Sequence, residues 1–400
     1  MKTLFTKTKL ADAAEIIKRG GLVAVPTETV YGLAGNGLDV DAVEKIYEVK
    51  GRPAVKPLSL MVPGEKAIGL YCRNVPEAAC TLAKKFWPGP LTIVLRSRAI
   101  VPDIVRAGGD TVGLRCPDHP KTLKLLRAAG VPFAAPSANP SGEPSPKNAG
   151  QVMAYFDGKI DAVIDGGECG LGRESTIIDM SEKPYRILRQ GALPAEDIAD
   201  ALVRRMKIIG ITGGTGSGKT TALKCLEKRG ALVIDCDAVY HDLLESDAEL
   251  VDELESSFPG TVQGGKLDRR ALGELVFADA AALERLNAIT HRHISRRVDD
   301  MLRSWAMDGG TLAAIDAVAL AESGMAERCS AVIGVTAGRE KRIERIMARD
   351  GISREYAEKR IDAQPSDEYY RSVCTKMLVN DSGEKQFKKQ CEALFMEVLK

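Results

Sequence analysis

A glycine-rich segment near the middle of the chain has the residue types and the spacing of a phosphate-binding loop. The segment GGTGSGKT, residues 213–220, fits the pattern G-x-x-x-x-G-K-[ST] at every defined position. Its glycines allow successive backbone N–H groups to surround phosphate oxygens, and a helix that begins there directs its positive end towards the same anion. The sequence therefore predicts an ATP site formed by Gly214, Thr215, Gly216, Ser217, Gly218, Lys219, Thr220 and Thr221.

Two side chains of this loop and a carboxylate beyond it have the chemistry for phosphoryl transfer. Lys219 can reach the outer phosphates of the nucleotide, and the hydroxyl of Thr220 can bind Mg²⁺. Asp235 and Asp237 follow the next apolar run, and the C-terminal ends of parallel strands converge on the ligand crevice. A carboxylate there can accept the proton of a substrate hydroxyl. We therefore expect Lys219 and Asp237 to be catalytic and Thr220 to be a magnesium ligand.

An arginine-rich segment further along the chain could stabilise the charge of a transferred phosphate. Arg342, Arg345 and Arg349 in REKRIERIMARD have the spacing of residues on one helical face. A mobile helix with arginines directed at the phosphates is one way to stabilise transferred charge. The pattern predicts a helical lid, with Arg345 and Arg349 as catalytic candidates.

A phosphate-binding loop predicts nucleotide binding but leaves the reaction open. A small-molecule kinase and a GTPase-type switch or regulatory NTPase both use this loop. The guanine-reading sequence N-K-x-D does not occur in the chain, and the two carboxylates after the second apolar run suit a kinase.

The first 205 residues contain no such loop, and their chemistry lies in turns rich in hydroxyl groups and cations. Each turn follows or begins an apolar run; the turns are PTETVYGL, KGRPAVKPLSL, GLRCPDHP, APSANPSGEPS, GRESTIID and ILRQGA. Together they supply the cations Lys50, Arg52, Lys56, Arg115, Arg173 and Arg189. Cations neutralise phosphate and hydroxyl groups orient it, so this set suits a polyphosphate together with a small zwitterion.

The elements that must position these residues form two successive α/β patterns. Short apolar runs alternate with helical periodicity up to residue 205, and at Met206 the rhythm restarts with the strand KIIGIT. Strand–helix alternation of the second kind favours a mostly parallel sheet. The sequence therefore predicts two α/β domains, residues 1–205 and 206–400.

Composition and charge exclude several classes of protein. The apolar content of 44% and the charged content of 28% are typical of globular proteins. The first 205 residues carry a net charge of +5 and the rest −4, so neither part has the basic surface of a dedicated nucleic-acid binder. Nine cysteines without a C-x-x-C pair favour reduced thiols. With no signal segment and no apolar run of membrane-spanning length, we expect a cytoplasmic protein without a membrane partner.

The second half resembles dephospho-CoA kinase in several segments that occur in the same order. These are IIGITGGTGSGKTT, GALVIDCDAVYHDLL, LDRRALGELVFAD, LERLNAITHRHI, RIMARDGISREYAEKRIDAQ and LVNDSG. The resemblance implies a P-loop NTPase fold with a parallel sheet and a helical lid, and transfer of the ATP γ-phosphate to the ribose 3′-hydroxyl of dephospho-CoA. Asp237 would then engage that hydroxyl, and Arg345 and Arg349 would belong to the lid. Arg292 stands after His291 where the family has proline, and the alanine-rich segment 316–322 retains Glu322.

The first half resembles the YrdC-like family, the L-threonylcarbamoyladenylate synthases of tRNA modification. The family signature K-x-R…S-x-N is present as Lys50-Gly51-Arg52 and Ser137-Ala138-Asn139, and FWPGPLT and GRESTIID also fit. The resemblance implies a twisted α/β fold and condensation of L-threonine, bicarbonate or CO₂, and ATP with release of pyrophosphate. It also implies a functional link to the tRNA threonylcarbamoyl transferase machinery, which uses the product.

The resemblance assigns residues of this half to two ligands. Near threonine it places Thr29, Arg115, Ala135 and Ser175. Near ATP it places Lys50, Arg52, Lys56, Thr111, Ser137, Asn139, Ser145 and Arg189. Met61 occupies a position that is often histidine in relatives, and a thioether cannot donate the hydrogen bond that histidine gives.

We interpret the whole chain as a fusion of two enzymes with magnesium and ATP in common. Two alternatives remain open from the sequence. The first half could be an RNA-binding module that grips phosphates without catalysis, which its net charge permits and its lack of interleaved aromatic residues disfavours. The second half could be another P-loop small-molecule kinase.

Overall fold

The computed structural model describes residues 2–400, which form two compact units. The first comprises the residues up to Arg204 together with Met307–Gly309. The second comprises Arg205–Ala306 and Gly310–Lys400. Each unit has its own sheet and its own helices.

The first unit is built on a mixed ten-stranded sheet. Its strands are β1 (Leu4–Thr6), β2 (Val23–Val25), β3 (Gly32–Asn36), β4 (Ser59–Met61), β5 (Leu91–Arg96), β6 (Thr111–Arg115), β7 (Phe133–Ala134), β8 (Ala162–Ile164), β9 (Thr176–Asp179) and β10 (Arg186–Arg189). Its helices are α1 (Leu10–Lys18), α2 (Val40–Lys50), α3 (Ile68–Tyr71), α4 (Glu77–Phe86), α5 (Asp103–Arg106), α6 (Pro120–Ala129), α7 (Ala149–Phe156) and α8 (Ala195–Val203). The strand order is β1-β8-β2-β3-β7-β4-β6-β5-β9-β10.

Strand β6 shows how the sequence gives this sheet two different faces. Side chains alternate along a strand, so Val112 and Leu114 point one way and are 2% and 0% exposed. The alternate positions, which are Thr111, Gly113 and Arg115, face the other way. Antiparallel pairing with β5 and parallel pairing with β4 place Val94 and Ser59 beside Gly113. A shift of one residue would exchange the two faces, so this register decides which side chains share a surface.

The second unit has a five-stranded sheet in which every neighbouring pair is parallel. Its strands are β11 (Lys207–Thr212), β12 (Leu232–Asp235), β15 (Leu312–Asp316), β16 (Ala331–Thr336) and β17 (Lys376–Val379), while β13 (Val262–Gln263) and β14 (Lys266–Leu267) form a separate hairpin. Its helices are α9 (Lys219–Glu227), α10 (Cys236–Ser246), α11 (Ala248–Ser257), α12 (Arg269–Ala278), α13 (Ala280–Met307), α14 (Arg339–Asp350), α15 (Arg354–Asp362), α16 (Asp367–Val373) and α17 (Glu384–Val398). The predicted α/β class is confirmed, and so is the predicted parallel sheet.

The centre of this sheet is the apolar strand that opens the second sequence pattern. The sheet order is β12-β15-β11-β16-β17, and β11 pairs with β15 on one side and with β16 on the other. A central strand of a parallel sheet is covered on both faces, which explains the continuous apolar run. Because the strands are parallel, the ends of β11, β12 and β15 lie at the same edge, where the phosphate-binding loop begins.

None of the helices between residues 2 and 400 combines the length and the apolar character that a membrane crossing requires. The nine cysteines of the chain all carry free thiols, and most of these are buried.

We expect each half of the chain to fold on its own, because each unit has its own apolar core. In the first, α1 packs on α6 with Ile17 and Leu125 fully buried; in the second, Phe387 of α17 packs on the central sheet. Residues 1–205 and 206–400, expressed separately, should each unfold cooperatively in urea. Aggregation of both halves alone, with soluble protein only on co-expression, would contradict this expectation.

Candidate active sites

The phosphate-binding loop joins β11 to α9 in a conformation that only glycine allows at its tightest points. Gly213 has φ +143° and Gly218 has φ +107°, both in the left-handed half of conformational space. A Cβ atom on Gly213 would lie 2.2 Å from the carbonyl oxygen of Val335, and one on Gly218 would lie 2.2 Å from the side-chain nitrogen of Asn380. The glycines of the motif are therefore required by the backbone and by close neighbours.

The loop leaves polar groups available at the helix N-terminus. Lys219 donates from Nζ to the carbonyl oxygen of Gly213 at 2.8 Å, and this hydrogen bond joins the two ends of the loop. Ser217 is 1% exposed, and its hydroxyl has no hydrogen-bond partner among residues 2–400. Thr220 is exposed in the first turn of α9. An anion at this N-terminus would meet unpaired N–H groups and the positive end of the helix dipole.

Three carboxylates lie at the strand ends beside this loop, and only two of them were expected. Asp235 caps α10 by accepting from the backbone N–H groups of Asp237 and Ala238 at 2.9 and 3.1 Å. Asp237 is exposed in the first turn of that helix. Asp316, at the end of β15, is the register partner of Asp235 and was not singled out in the sequence.

The charge environment marks Asp316 as a member of the site. Burial raises the pKa of Asp316 to about 6, Lys219 acts to lower it, and Asp235 and Asp237 act to raise it. Lys219, Asp235 and Asp237 are therefore each close enough to influence Asp316. A cation placed among the three carboxylates would relieve their mutual repulsion. The available signal in the sequence was the position of Asp316 at the end of another apolar run.

The arginines of α14 do not all face the same target. Arg345 donates to the carbonyl oxygens of Gly216 at 3.1 Å and Asn380 at 3.1 Å. Arg349 pairs with Asp350 at 2.6 Å, and its side chain is 60% exposed. Since the carbonyls of an anion-binding loop point away from the anion, Arg345 contacts the outer side of the loop. The structure does not bring Arg349 to the loop.

The outer side of the loop is held by two residues that were not among the expected site residues. Arg342 is 6% exposed and donates from Nε to the carbonyl oxygen of Thr215 at 2.9 Å. Gln364 accepts from the backbone N–H of Thr215 at 2.8 Å and donates to its hydroxyl at 2.7 Å. Arg342 also donates to Gln364 at 2.9 Å. Thr215 is thus fixed at its N–H, its carbonyl and its side chain.

In the first unit, one face of the sheet forms a cavity of about 340 Å³. That volume is within the usual range for small-ligand sites. The register described for β4, β5 and β6 places Ser59, Thr92, Gly113 and Arg115 on this face. The lining residues that were expected near ATP or threonine are Arg52, Thr111, Arg115, Ala135, Ser137, Ser175 and Arg189. Met61 also lines the cavity, at the position where relatives often have histidine.

Three guanidinium groups converge on this cavity from different parts of the sequence. Arg115 donates to Glu28 at 2.8 Å and to the hydroxyl of Thr29 at 2.7 Å, while its Nε is buried without a partner in the described chain. Arg189 donates to the carbonyl oxygen of Ser175 from Nε and Nη2, at 3.1 and 2.9 Å. Burial lowers the pKa of Arg189, and Arg115 and Arg52 also act to lower it. Such a cluster of like charges favours an anion.

Other expected residues support the cavity from behind. Lys50 is 3% exposed and donates to the carbonyl oxygen of Ser137 at 2.5 Å and to that of Asn139. Burial lowers the pKa of Lys50 to about 8. Asn139 donates to the carbonyl oxygens of Pro140 and Glu143 at 2.9 and 2.6 Å. These contacts give Lys50 and Asn139 the task of shaping the loop that carries Ser137.

The remaining expected residues lie one contact away from the cavity or outside it. Thr29 reaches it through Arg115, and Ser145 donates to Glu174, a lining residue, at 2.8 Å. Lys56 is exposed and does not line the cavity. Glu174 and Asp179 line it without having been assigned, although both belong to the GRESTIID segment. Alternation along β9 was the available signal for Asp179, which lies two residues from the lining residue Ile177, whereas Glu174 precedes the strand and has no such signal.

Comparison with known proteins matches the two halves to two different families. A family model described as "Telomere recombination", Sua5/YciO/YrdC, matches residues 15–191, and one described as "Dephospho-CoA kinase" matches residues 207–386. A threonylcarbamoyl-AMP synthase of Pyrococcus abyssi is 50% identical over 190 residues, covering 48% of this chain and 56% of that protein. One from Marinobacter nauticus is 34% identical over 173 residues, covering 43% of this chain and 91% of that protein.

Among solved structures, a dephospho-CoA kinase from Campylobacter jejuni is 25% identical, covering 48% of this chain and 96% of that one, with a TM-score of 0.37. The chain spans little more than half the length of the Pyrococcus abyssi synthase and of the threonylcarbamoyl-AMP synthases of Bacillus subtilis and Schizosaccharomyces pombe.

Replacing the Asp316 carboxylate should stabilise the protein at neutral pH, because its pKa of about 6 lies above the ordinary value. As the pH rises between about 4 and 6, the unfolded chain releases this proton before the folded state does, so stability falls. Above that range the loss of folding stability caused by ionised Asp316 is constant and at most about 3 kcal/mol, at about 1.4 kcal/mol per pKa unit. Calorimetry of the full chain should show that Asp316→Asn raises the unfolding temperature more at about pH 8 than at about pH 5.

Asp237→Asn is the matched control for this measurement, because Asp237 is exposed in the same group of charges. A stabilisation by Asp316→Asn that is equal at both pH values would show that the buried charge is not its cause.

Proposed function

The first half of the chain belongs to the Sua5/YciO/YrdC family and the second half carries a dephospho-CoA kinase domain, and from this premise we propose a bifunctional enzyme. The first activity is the synthesis of L-threonylcarbamoyladenylate from L-threonine, bicarbonate or CO₂, and ATP. The second is the phosphorylation of dephospho-CoA at its 3′-hydroxyl by ATP. The free, mostly buried thiols suit a reducing compartment, and we place both reactions in the cytoplasm.

The observation that carries the first activity is the convergence of seven of the twelve expected residues on one cavity. Six of the seven come from five separate turns of the sequence, a convergence that a merely structural role for each turn does not require. The first half of the chain has no phosphate-binding loop, so Arg52, Arg115 and Arg189 supply the positive charge that a nucleoside triphosphate needs.

Arg115 suits the carboxylate of threonine. Its Nη2 is already committed to Glu28 and Thr29, which fix the orientation of the guanidinium plane. Its buried Nε lacks a partner in the described chain, and a buried donor left unpaired costs roughly 1–3 kcal/mol. A ligand carboxylate or carbonyl oxygen would satisfy it. The hydroxyls of Thr92 and Ser175, which lie 2.8 Å apart, provide further polar contacts on the same wall.

The chemistry of this half requires placement more than proton transfer. A carbamate forms readily from an amine and CO₂, and its oxygen then attacks the α-phosphate of ATP with pyrophosphate as the leaving group. Holding the reacting atoms together and neutralising the pyrophosphate supply most of the rate enhancement in this scheme. The product then enters tRNA modification through the threonylcarbamoyl transferase machinery.

The observation that carries the second activity is the group of carboxylates beside the phosphate-binding loop. Asp237 is exposed at the strand edge, where a substrate hydroxyl can approach it, and we propose that it accepts the hydroxyl proton. Lys219 would bind the outer phosphates. Arg345 positions the loop from outside, and Arg349 could contribute only after release from Asp350.

The donor set of this edge also fits Mg²⁺, which prefers oxygen ligands. The hydroxyl of Thr220 and the half-buried carboxylate of Asp316 would hold it, and a cation there would stabilise the ionised form of Asp316, whose pKa is raised. When bound, Mg²⁺ would neutralise part of the phosphate charge.

Arg52→Ala should abolish threonine-dependent pyrophosphate release and leave the kinase reaction unchanged. A guanidinium contact to phosphate is worth roughly 1.5–3 kcal/mol, which predicts a loss on the order of 10–100-fold or more. Arg52→Lys should recover part of the rate, because an ammonium keeps the charge without the two-point geometry. Lys84→Ala, which removes an exposed cation on α4, is the control.

In the same assay, pyrophosphate release by Arg52→Ala within about twofold of wild type would contradict this role. Arg52 would then only stabilise its own turn, by donating to the carbonyl oxygen of Pro57. If wild-type protein itself releases no pyrophosphate with threonine and bicarbonate but binds RNA, the first half is an RNA-binding module.

Lys219→Ala and Asp237→Asn should separate nucleotide binding from phosphoryl transfer. The first change removes the cation that faces the phosphates, so the KM for ATP should rise about tenfold or more. The second leaves ATP binding intact and should lower kcat about 100-fold, the usual scale for a general base. Dephospho-CoA-dependent ADP formation measures both, with Lys228→Ala as the control, and near-normal turnover by Asp237→Asn would refute its role.

A further inference from the structure

A second group of ionisable side chains lies in the second unit, where α11 begins beside the middle of α13. Asp247 caps α11 by accepting from the backbone N–H of Leu250 at 3.2 Å through Oδ1, which leaves Oδ2 for other contacts. Glu249 lies in the first turn of α11. His293 of α13 is 2% exposed, and its Nδ1 is 3.1 Å from Oδ2 of Asp247. One ligand atom from each of these three residues lies within 4.8 Å of the other two.

A single guanidinium nitrogen occupies the point that these three residues share. Nη2 of Arg296 is 3.2 Å from Oδ2 of Asp247, 2.9 Å from Oε2 of Glu249 and 3.2 Å from Nδ1 of His293. The arginine side chain is 53% exposed, so it can move away into solvent without disrupting the core. Beside it lies a cavity of about 260 Å³ that Asp247, His293 and Arg296 line.

No arrangement of protons on His293 suits all of these neighbours. If Nδ1 carries a proton, it donates to Asp247, and the same N–H then faces Arg296, which is a donor only. If Nδ1 carries a lone pair, it accepts from Arg296, and it then faces the carboxylate oxygen of Asp247. One of the two contacts is unfavourable in every protonation state.

A metal cation at the position of the guanidinium nitrogen would remove this conflict. All three residues would then present lone pairs to the same centre. The other ring nitrogen is already placed for that state, since Nε2 of His293 is 3.0 Å from Oε2 of Glu253. A carboxylate that accepts the second N–H is the usual support of a metal-binding histidine, because it fixes the tautomer and raises the basicity of the ligand.

We propose that Asp247, Glu249 and His293 form a binding site for a divalent transition-metal cation, with Glu253 orienting the histidine and Arg296 occupying the site when the metal is absent. Metal–ligand distances of roughly 2.0–2.2 Å require ligand atoms about 3.4 Å apart in a tetrahedral site, so only small movements are needed. One imidazole and two carboxylates suit Zn²⁺, Co²⁺ or Ni²⁺ better than Mg²⁺. The ion would tie α11 to α13, which goes beyond the two proposed activities.

Titration of the full chain with Co²⁺, without nucleotide and in the presence of excess Mg²⁺, tests the proposal through the visible absorption of the bound ion. Wild-type protein should bind cobalt at a single saturable site. Glu249→Gln and His293→Gln should each weaken binding at least about tenfold. Arg296→Met should strengthen it, because the ion no longer has to displace a guanidinium group. That increase would not be expected if the cluster were only a network of ion pairs.

His241→Gln provides the matched control, because it removes an exposed histidine on the neighbouring helix α10 and should leave the affinity unchanged. Glu249→Gln and Arg296→Met change exposed side chains, so both should fold even if His293→Gln does not. Absence of cobalt binding by the Arg296→Met protein would overturn the proposal. So would a thiolate charge-transfer band, which would place the ion on cysteine, or a loss of binding in His241→Gln.

Discussion

Buried cations held by backbone carbonyls are the interaction on which both candidate sites depend. Lys50 donates to the carbonyls of Ser137 and Asn139, and Arg342 donates to that of Thr215. A carbonyl satisfies the N–H donors of a desolvated cation without neutralising its charge, unlike a carboxylate partner. Each cation therefore shapes a loop and still contributes positive potential to the space beside it.

The two units use this interaction on different parts of an α/β architecture. The second unit places its loop at the end of a central parallel strand, where backbone N–H groups and a helix N-terminus receive the anion. The first unit has a mixed sheet and builds its cavity on the face of that sheet, so side chains from alternate strand positions must replace the backbone donors. This difference explains why the nucleotide site of the second unit has a short linear signature, whereas the first relies on separate turns.

The sequence could predict the parts of both sites that local chemistry determines. The spacing of Gly213–Thr220 was sufficient for the loop, and the hydroxyl-rich turns identified most of the cavity. Strand register and side-chain burial could not be derived from the sequence. Asp316 lies beside the other carboxylates only because β15 lies between β11 and β12. Lys50 does not line the cavity and instead donates to the loop that carries Ser137. The arginines of α14 were expected to be directed at the phosphates, but Arg342 and Arg345 donate to carbonyls on the outer side of the loop, and Arg349 pairs with Asp350.

The hydrogen bonds between Gln364 and Thr215 affect the order in which parts of the protein fold during synthesis. The two residues are 149 positions apart, so this contact closes a long stretch of chain and belongs to the class that forms slowly. During synthesis the phosphate-binding loop leaves the ribosome well before the residue that fixes its outer side. All strands of the first sheet are present once Arg189 has been added. The nascent chain can thus build its first cavity while its second nucleotide site still lacks the contact that completes it.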